Sequence, residues 1–128
     1  LPKKPNGQYD WLHATLNMGV QGSAADQMKK AMVDSVEAMP DLWLQLQVHD
    51  SEGGSIELGK IGRERAKELG RIMRNAYKDP WMLYRVDVAT GPSWGREHDM
   101  CYNQFCIVDA KNSEEKWCPE HAPVLKAA

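Results

Sequence analysis

The fold is decided by residues 40–54, which read Pro40-Asp41-Leu42-Trp43-Leu44-Gln45-Leu46-Gln47-Val48-His49-Asp50-Ser51-Glu52-Gly53-Gly54. Apolar side chains at positions 42, 44, 46 and 48 recur at every second residue, which is the period of a half-buried β-strand. The strand is expected over Leu42–His49. Residues 51–54 then predict a turn, so that Ser55–Leu58 can pair back as the second arm of a β-hairpin.

An amphipathic helix is predicted before this hairpin, over Ser23–Met39, where apolar residues recur every three or four positions. An S-x-x-D capping pair that ends at Asp26 marks its start, and Pro40 ends it. Residues 10–16 predict one or two further helical turns, interrupted near Gly19.

A second amphipathic helix is predicted after the hairpin, over Lys60–Tyr77, with Lys67 and most other charged residues outside its apolar face. Residues 81–88 alternate again and predict a strand that a turn at residues 90–92 closes. The order of elements favours an α+β fold, in which an antiparallel sheet carries two amphipathic helices on one face. Residues 96–128 lack a clear period and are expected to form a small irregular tail that contains the cysteines.

Length and composition limit the class of protein. A chain of 128 residues that is 42% hydrophobic can bury one compact core, and a net charge of −2 argues against nucleic-acid binding by bulk charge. No apolar run approaches the roughly 20 residues that cross a bilayer, and residues 1–7 lack the layout of a signal peptide. A soluble, cytoplasmic protein without membrane contact is therefore expected. The three cysteines all follow residue 100, which favours reduced thiols or a metal over a disulfide framework.

Three polar residues, His13, Asn17 and Gln21, are spaced four apart, so a continuous helix would present them on one face. Side chains of this kind suit the minor groove of a duplex, where every base pair offers acceptors at similar places. Spacing alone equally allows Asn17 and Gln21 to cap adjoining helices while His13 is simply exposed.

The same segment is similar to a long motif of family A DNA polymerases. That motif reads N-x-x-x-Q-G-[ST]-A-A-D followed by K-x-A-M, and residues 17–26 and 29–32 match it as NMGVQGSAAD and KKAM. The resemblance implies that Asn17 and Gln21 contact the primer–template minor groove near the growing end. His13 stands where phage relatives can carry histidine and bacterial ones often carry arginine.

A second block, Leu46-Gln47-Val48-His49-Asp50, resembles the Q-V-H-D-E polymerase motif at the tip of a β-hairpin. The resemblance implies that Asp50 binds catalytic Mg²⁺ and that His49 contacts the primer end. Two such ions, about 3.5–4 Å apart, stabilise the attacking and departing oxygens, and carboxylates are the hard ligands that Mg²⁺ prefers. Ser51 occupies the usual glutamate position, so Glu52 either substitutes by a shift of one residue or is a solvated turn residue.

Residues 85–95, which end in Gly91-Pro92-Ser93-Trp94-Gly95, resemble the end of phage family A polymerases. There a strand leads to a G-x-x-W segment, and Trp94 is expected to be an apolar anchor against the sheet.

Together these blocks imply that residues 1–95 are the C-terminal palm portion of a phage-like DNA polymerase, a nucleotidyltransferase that adds dNTP-derived nucleotides to a primer 3′ end. The first catalytic carboxylate of the family and its fingers helix are not found in this chain. The expected partners are therefore primer–template DNA, dNTP and the remaining polymerase segment, which comprises the fingers, the thumb and that carboxylate. The isolated chain is expected to be inactive, and the location to be a bacterial cell or a phage-infected host.

The tail, residues 96–128, carries Cys101, Cys106, Cys118 and His121 in a C-x4-C-x11-C-x2-H pattern. Four such ligands in two clusters fit a tetrahedral structural Zn²⁺ site. The alternative is that the cysteines are small buried hydrophobes, since the first pair is spaced more widely than C-x2-C. The other class of function is a non-catalytic DNA-binding or scaffolding module, in which a zinc-stabilised tail and the basic second helix hold a partner.

Overall fold

The structure is a computed structural model that describes residues 2–9, 12–79, 81, 84–111 and 116–122, without the side chains of residues 12 and 13. Its elements are α1 (Leu12–Ala38), β1 (Trp43–Val48), β2 (Ser51–Ser55), α2 (Lys60–Asn75), β3 (Ala89–Thr90) and β4 (His98–Asp99). Strands β1 and β2 form one antiparallel pair, and β3 and β4 form another. The predicted α+β class is confirmed, although the strands form two small sheets.

Helix α1 is continuous from Leu12, so the predicted interruption near Gly19 and the predicted start at residue 23 are wrong. The Ser23 hydroxyl donates to the Gly19 carbonyl oxygen at 2.9 Å, as a serine inside a helix does, and it caps nothing. A helix-interior glycine costs only about 1 kcal/mol relative to alanine, so Gly19 and Gly22 do not by themselves interrupt a helix of 27 residues. Residues 14–26 are exposed, and the helix packs from residue 27 onward. The buried side chains of this region are Met28, Ala31, Ser35 and Met39.

The hairpin forms as predicted, but its turn lies elsewhere. Val48 pairs with Ser51, which leaves a two-residue turn at His49 and Asp50, and β2 covers residues 51–55 instead of 55–58. The expected turn glycines therefore lie inside β2, where Gly53 pairs with Leu46 and Gly54 with Leu44 across a register shift. A Cβ atom on Gly54 would lie 2.5 Å from the Trp43 carbonyl oxygen, so only glycine allows this pairing.

Helix α2 buries a stripe of small residues, Gly62, Ala66 and Gly70, which lets other backbone approach closely. A Cβ atom on Gly62 would collide with the Glu57 carbonyl oxygen, and one on Gly70 would lie 2.5 Å from a Val88 methyl carbon. The helix ends at residue 75, two residues before the predicted end. Lys67, which was expected outside the apolar face, is buried and only 4% exposed.

Residues 84–88 follow α2 in an extended conformation without joining a sheet, so the predicted strand is wrong for this described part of residues 81–88. Tyr84, Val86 and Val88 are half-buried, whereas Arg85 and Asp87 are exposed. The alternation of apolar and polar residues therefore reflects burial of every second side chain against neighbouring elements. One such contact is the 2.7 Å hydrogen bond that the Tyr84 hydroxyl accepts from the Gln27 side chain of α1. Alternation does not by itself supply a hydrogen-bonded partner strand.

Trp94 lies against the hairpin, as expected of an anchor. A Cβ atom on Gly53 of β2 would come within 2.9 Å of the indole ring. The side chain is nevertheless 66% exposed, so it covers one side of the hairpin instead of filling a core.

Glu52 of β2 points its carboxylate into the interface with α1. Both carboxylate oxygens are inaccessible, and no described residue donates a hydrogen bond to them. The neighbouring Ser35 hydroxyl donates instead to the Ala31 carbonyl oxygen at 2.7 Å. Burial therefore raises the pKa of Glu52, and the proximity of Ser35 offsets this only in part.

We predict that Gly62→Ala lowers the free energy of unfolding by roughly 1–3 kcal/mol, because the new methyl group displaces the backbone at Glu57. Urea denaturation measures this change. The matched control is Gly19→Ala on α1, where a Cβ atom meets nothing within 4 Å. That substitution should stabilise the chain by roughly 0.5–1 kcal/mol, and equal effects of both substitutions would contradict the close approach at α2.

We predict that Glu52→Gln raises the urea midpoint at pH 7, because it removes a buried charge without changing the shape of the side chain. A raised folded-state pKa means that Glu52 favours folding at acid pH and that this contribution is lost as the pH rises through the raised value. The difference between the variant and the parent chain should therefore shrink on acidification. The exposed Glu57→Gln is the control, and a variant less stable than the parent at pH 7 would contradict the burial.

Candidate functional site

The hairpin tip presents the two residues that the second polymerase-like block singled out. His49 and Asp50 form the entire turn between β1 and β2, and both are exposed. The Gln47 side-chain amide donates to the His49 carbonyl oxygen at 2.6 Å, which ties the turn to its own strand. The Asp50 carboxylate is therefore displayed on a short turn fixed at both ends by paired strands.

His49 has a φ of 52°, which makes it the one non-glycine residue with positive φ among the described residues. A left-handed conformation in a two-residue hairpin turn normally calls for glycine or asparagine. Such a conformation costs on the order of 1 kcal/mol for other residues, and strained residues cluster at functional sites. The first residue of the turn is therefore a histidine in the left-handed region, where glycine or asparagine is the usual choice.

The described part of the chain does not place Asp50 in a cluster of metal ligands. Among those residues, His, Cys, Asp and Glu side chains form one group of three or more that could hold a metal ion, and Asp50 is not in it. Glu52, the possible substitute for the usual glutamate, faces the α1 interface, while Ser51 is exposed.

Helix α1 carries the predicted polar row along one continuous helix. Asn17 and Gln21 are exposed, and their four-residue spacing separates them by about 6 Å of helical rise on the same face. His13 belongs to the same helix, but its side chain lies outside the described ones. The capping alternative fails for Asn17 and Gln21, because both lie well inside the helix.

The four predicted tail ligands converge. The ligand atoms of Cys101, Cys106, Cys118 and His121 all lie within 4.8 Å of one another. The Cys106 and Cys118 sulfurs are 3.8 Å apart, and the Cys118 sulfur is 3.1 Å from His121 Nδ1. All three cysteines are buried and form no disulfide.

Two tight turns and a set of N–H···S contacts shape this cluster. The Cys106 amide donates to the Asn103 carbonyl oxygen at 3.0 Å, and the His121 amide donates to that of Cys118 at 3.1 Å. Burial raises the pKa of the Cys101 thiol, but hydrogen bonds from the backbone N–H groups of Cys118 and Asn103 and from the Cys118 and Cys106 side chains together outweigh burial, so this pKa lies below its ordinary value. The pKa of Cys106 is raised, chiefly by burial. Hydrogen-bond donors that point at one sulfur stabilise its thiolate form, as the groups that hydrogen-bond to metal ligands do.

Three cations of α2 donate hydrogen bonds to the tail. Their positions outside the predicted apolar face had indicated a solvated surface. We call Arg63, Lys67 and Arg71 the basic stripe of α2, since a spacing of four residues aligns them. Arg63 donates to the Ile107 carbonyl oxygen at 2.7 Å, and Arg71 donates to that of Gln104 at 2.9 Å. Lys67 Nζ donates to the carbonyl oxygen of Cys101 and, at 3.2 Å, to that of Asn103. The regular four-residue spacing of these cations is the feature of the sequence that could have predicted a shared binding face.

Within the described residues, no helix is both long enough and apolar enough to span a membrane.

Comparison with curated proteins finds DNA polymerases. The chain is 43% identical over 95 residues to a DNA-directed DNA polymerase of Pseudomonas phage M6, a match that covers 73% of this chain and 13% of the relative. It is 32% identical over 83 residues to DNA polymerase I of Chloroflexus aurantiacus and 33% identical over 86 residues to DNA polymerase I of Bacillus subtilis. Each of these two matches covers 62% of this chain and 9% of the relative.

The chain thus spans between 9% and 13% of the length of the curated relatives it matches. No protein-family model matches it, and no solved structure does. The relatives are a phage polymerase and two bacterial polymerases of type I, in agreement with the resemblance carried by the two sequence blocks. The chain is a family A DNA polymerase-like segment.

Proposed function

We propose that residues 1–95 are the C-terminal palm portion of a phage-like family A DNA polymerase. In this proposal the chain takes part in template-directed transfer of nucleotides from dNTP to a primer 3′ end. The observation that carries the proposal is the hairpin tip, where a strained His49 backbone displays the Asp50 carboxylate in a polymerase-like motif. The polymerase names of the relatives support the same reaction class.

Asp50 is the proposed ligand of catalytic Mg²⁺. The residue fits this role because its carboxylate is a hard oxygen donor, is exposed, and sits on a turn too short to move independently of the strands. When bound, two Mg²⁺ ions stabilise the attacking and departing oxygens of phosphoryl transfer. His49 is the neighbouring group that would contact the primer terminus. The companion carboxylate is proposed to belong to the remaining polymerase segment, since Asp50 lies in no described ligand group.

The exposed face of α1 is the proposed contact with primer–template DNA. Asn17 and Gln21 carry amide groups that can donate to the minor-groove acceptors of any base pair, and they would test duplex shape without reading sequence. His13 would extend the row by one helical turn. The net charge of −2 agrees with a contact of this local kind, because bulk attraction to phosphate is weak.

Large apolar side chains are exposed on α1 and around the hairpin, which supports a role as part of a larger assembly. They include Leu16, Met18, Val20, Trp43 and Leu58, and Trp81, which follows α2, is exposed as well. Apolar surface left open in this way commonly marks contact with another protein surface. We propose that the remaining polymerase segment, with its fingers and thumb, covers it.

We predict that Asp50→Ala in the complete polymerase assembly lowers the rate of primer extension by at least ~100-fold. Losing even an outer-shell partner of a metal ligand costs about 10–100-fold, so losing the ligand itself should cost at least as much. Single-turnover primer extension measures the rate, and a gel-shift assay should show unchanged DNA affinity.

The matched control is Glu57→Ala, which removes an exposed carboxylate just beyond β2 and should leave extension unchanged. Full extension by Asp50→Ala would contradict the proposal and favour the non-catalytic DNA-binding module. Extension by the 128-residue chain alone would contradict the need for a second carboxylate from elsewhere.

We predict that the double substitution Asn17→Ala with Gln21→Ala weakens binding of primer–template DNA about 30-fold, because two hydrogen bonds of roughly 1 kcal/mol each are lost. The slope of affinity against salt concentration should stay the same, since neither side chain neutralises a phosphate. Fluorescence anisotropy over a salt series measures both quantities. Glu37→Ala, exposed on the opposite face of α1, is the control. Unchanged affinity in the double variant would contradict the proposed DNA face.

A further inference from the structure

The cysteine cluster is the strongest site outside the proposed polymerase function. Its geometry excludes a disulfide, because bonded sulfurs lie about 2.05 Å apart and Cys106 and Cys118 are separated by 3.8 Å. Two sulfurs bound to one zinc ion at about 2.3 Å each, in a tetrahedral arrangement, would lie at about this separation. His121 Nδ1 faces the same centre and supplies the fourth ligand.

The chemistry of the donors selects the metal. Thiolate sulfur is a soft ligand that suits Zn²⁺ and disfavours Mg²⁺ and Ca²⁺, so this cluster is independent of the proposed Mg²⁺ ligand Asp50. Three cysteines and one histidine complete a four-coordinate shell and leave no position for water or substrate. All three sulfur ligands are buried. A closed and buried shell of this kind is structural.

The packing around the cluster argues against the alternative, in which the cysteines serve as small hydrophobes. The buried apolar side chains of the described tail residues are Met100 and the three cysteines, with Trp117 packed against the cysteines. Phe105 and Val108, which an apolar core would enclose, are 72% and 51% exposed. Ordering each residue of a chain costs about 1–2 kcal/mol, and one methionine with three cysteines buries too little area to offset that cost for a segment this irregular. Bonds between a metal ion and these ligands would supply the folding free energy that the apolar contacts lack.

The basic stripe of α2 places three positive charges beside the loop that carries the cysteine cluster. Three thiolates outweigh the charge of one Zn²⁺ ion, so the loaded centre is net negative. Arg63, Lys67 and Arg71 all donate to backbone carbonyls of residues 101–107, the loop that carries the first two ligands. No carboxylate of the described residues forms an ion pair with Lys67 or Arg71, and a buried cation is costly without a compensating negative charge.

We infer that Cys101, Cys106, Cys118 and His121 bind one structural zinc ion, and that this ion fastens the tail to the basic stripe of α2. The ligand bonds fix the loop of residues 101–107, and the fixed loop presents its carbonyl oxygens to the three cations. Metal binding and the order of α2 are thereby coupled. This inference does not depend on whether the chain takes part in DNA synthesis.

Metal analysis of the full purified chain tests the site directly. We expect one zinc per chain by mass spectrometry of the metal. After replacement by Co²⁺ we expect the ligand-field bands of a tetrahedral ion together with sulfur-to-cobalt charge-transfer absorption. These readouts use the parent chain and do not depend on the folding of any variant. Absence of stoichiometric zinc, stoichiometric iron in its place, or an octahedral cobalt spectrum would overturn the site.

Ligand variants and hydrogen exchange test the assignment and the coupling. Cys118→Ser and His121→Asn should each weaken zinc binding by at least ~100-fold in a competition titration with a chelating dye, whereas His98→Asn, exposed on β4, should not. Removal of zinc should speed amide exchange across α2, residues 60–75, relative to the exposed residues 14–26 of α1. Unchanged affinity in both ligand variants, or unchanged exchange in α2, would overturn the corresponding half of the inference.

Discussion

A buried ammonium group holds the C-terminal half of this molecule together. Lys67 lies in the middle of α2, and its Nζ donates to the carbonyl oxygens of Cys101 and Asn103. The neighbouring stripe of Gly62, Ala66 and Gly70 brings the backbone after β2 and the side chain of Val88 against the same helix. Helix α2 therefore fixes the exit of the hairpin, the extended segment after the helix and the tail at once. Changing one of these contacts displaces elements that are distant in sequence.

The elements were largely predictable from the sequence, whereas their hydrogen-bonded partners were not. Periodicity correctly indicated two helices and a hairpin strand, because burial on one face leaves a trace in the order of residues. It misplaced the turn, since Gly53 and Gly54 look like turn residues but serve a register shift and the contact with Trp94. It also predicted a strand at residues 81–88, and in the described part of it, residues 84–88, side chains alternate in burial without a ladder. Lys67 was wrongly predicted to be exposed, because the sequence does not show that its ammonium group donates to the carbonyl oxygens of Cys101 and Asn103.

The sequence predicted the two candidate sites to different extents. The hairpin tip is encoded by adjacent residues, so a short motif identified both Asp50 and its position, and the structure adds the positive φ of His49. The tail ligands span residues 101–121, and their spacing left a metal site and buried thiols equally open. What separates these alternatives is the exposure of Phe105 and the convergence of four ligand atoms, which are properties of the folded chain.

This difference follows from the cost of closing a loop. The tip needs one two-residue turn, which the paired strands and the Gln47 amide hold in place. The tail must bring together ligands separated by eleven residues between Cys106 and Cys118, and the described part of that connection forms no helix or strand of its own. The cations of α2 offset part of the closure entropy by donating to carbonyl oxygens on one side of the loop. Bonds to the inferred zinc ion would add to this on the other side. The tail can therefore be ordered by its own chemistry, while the tip depends on the register of a single hairpin.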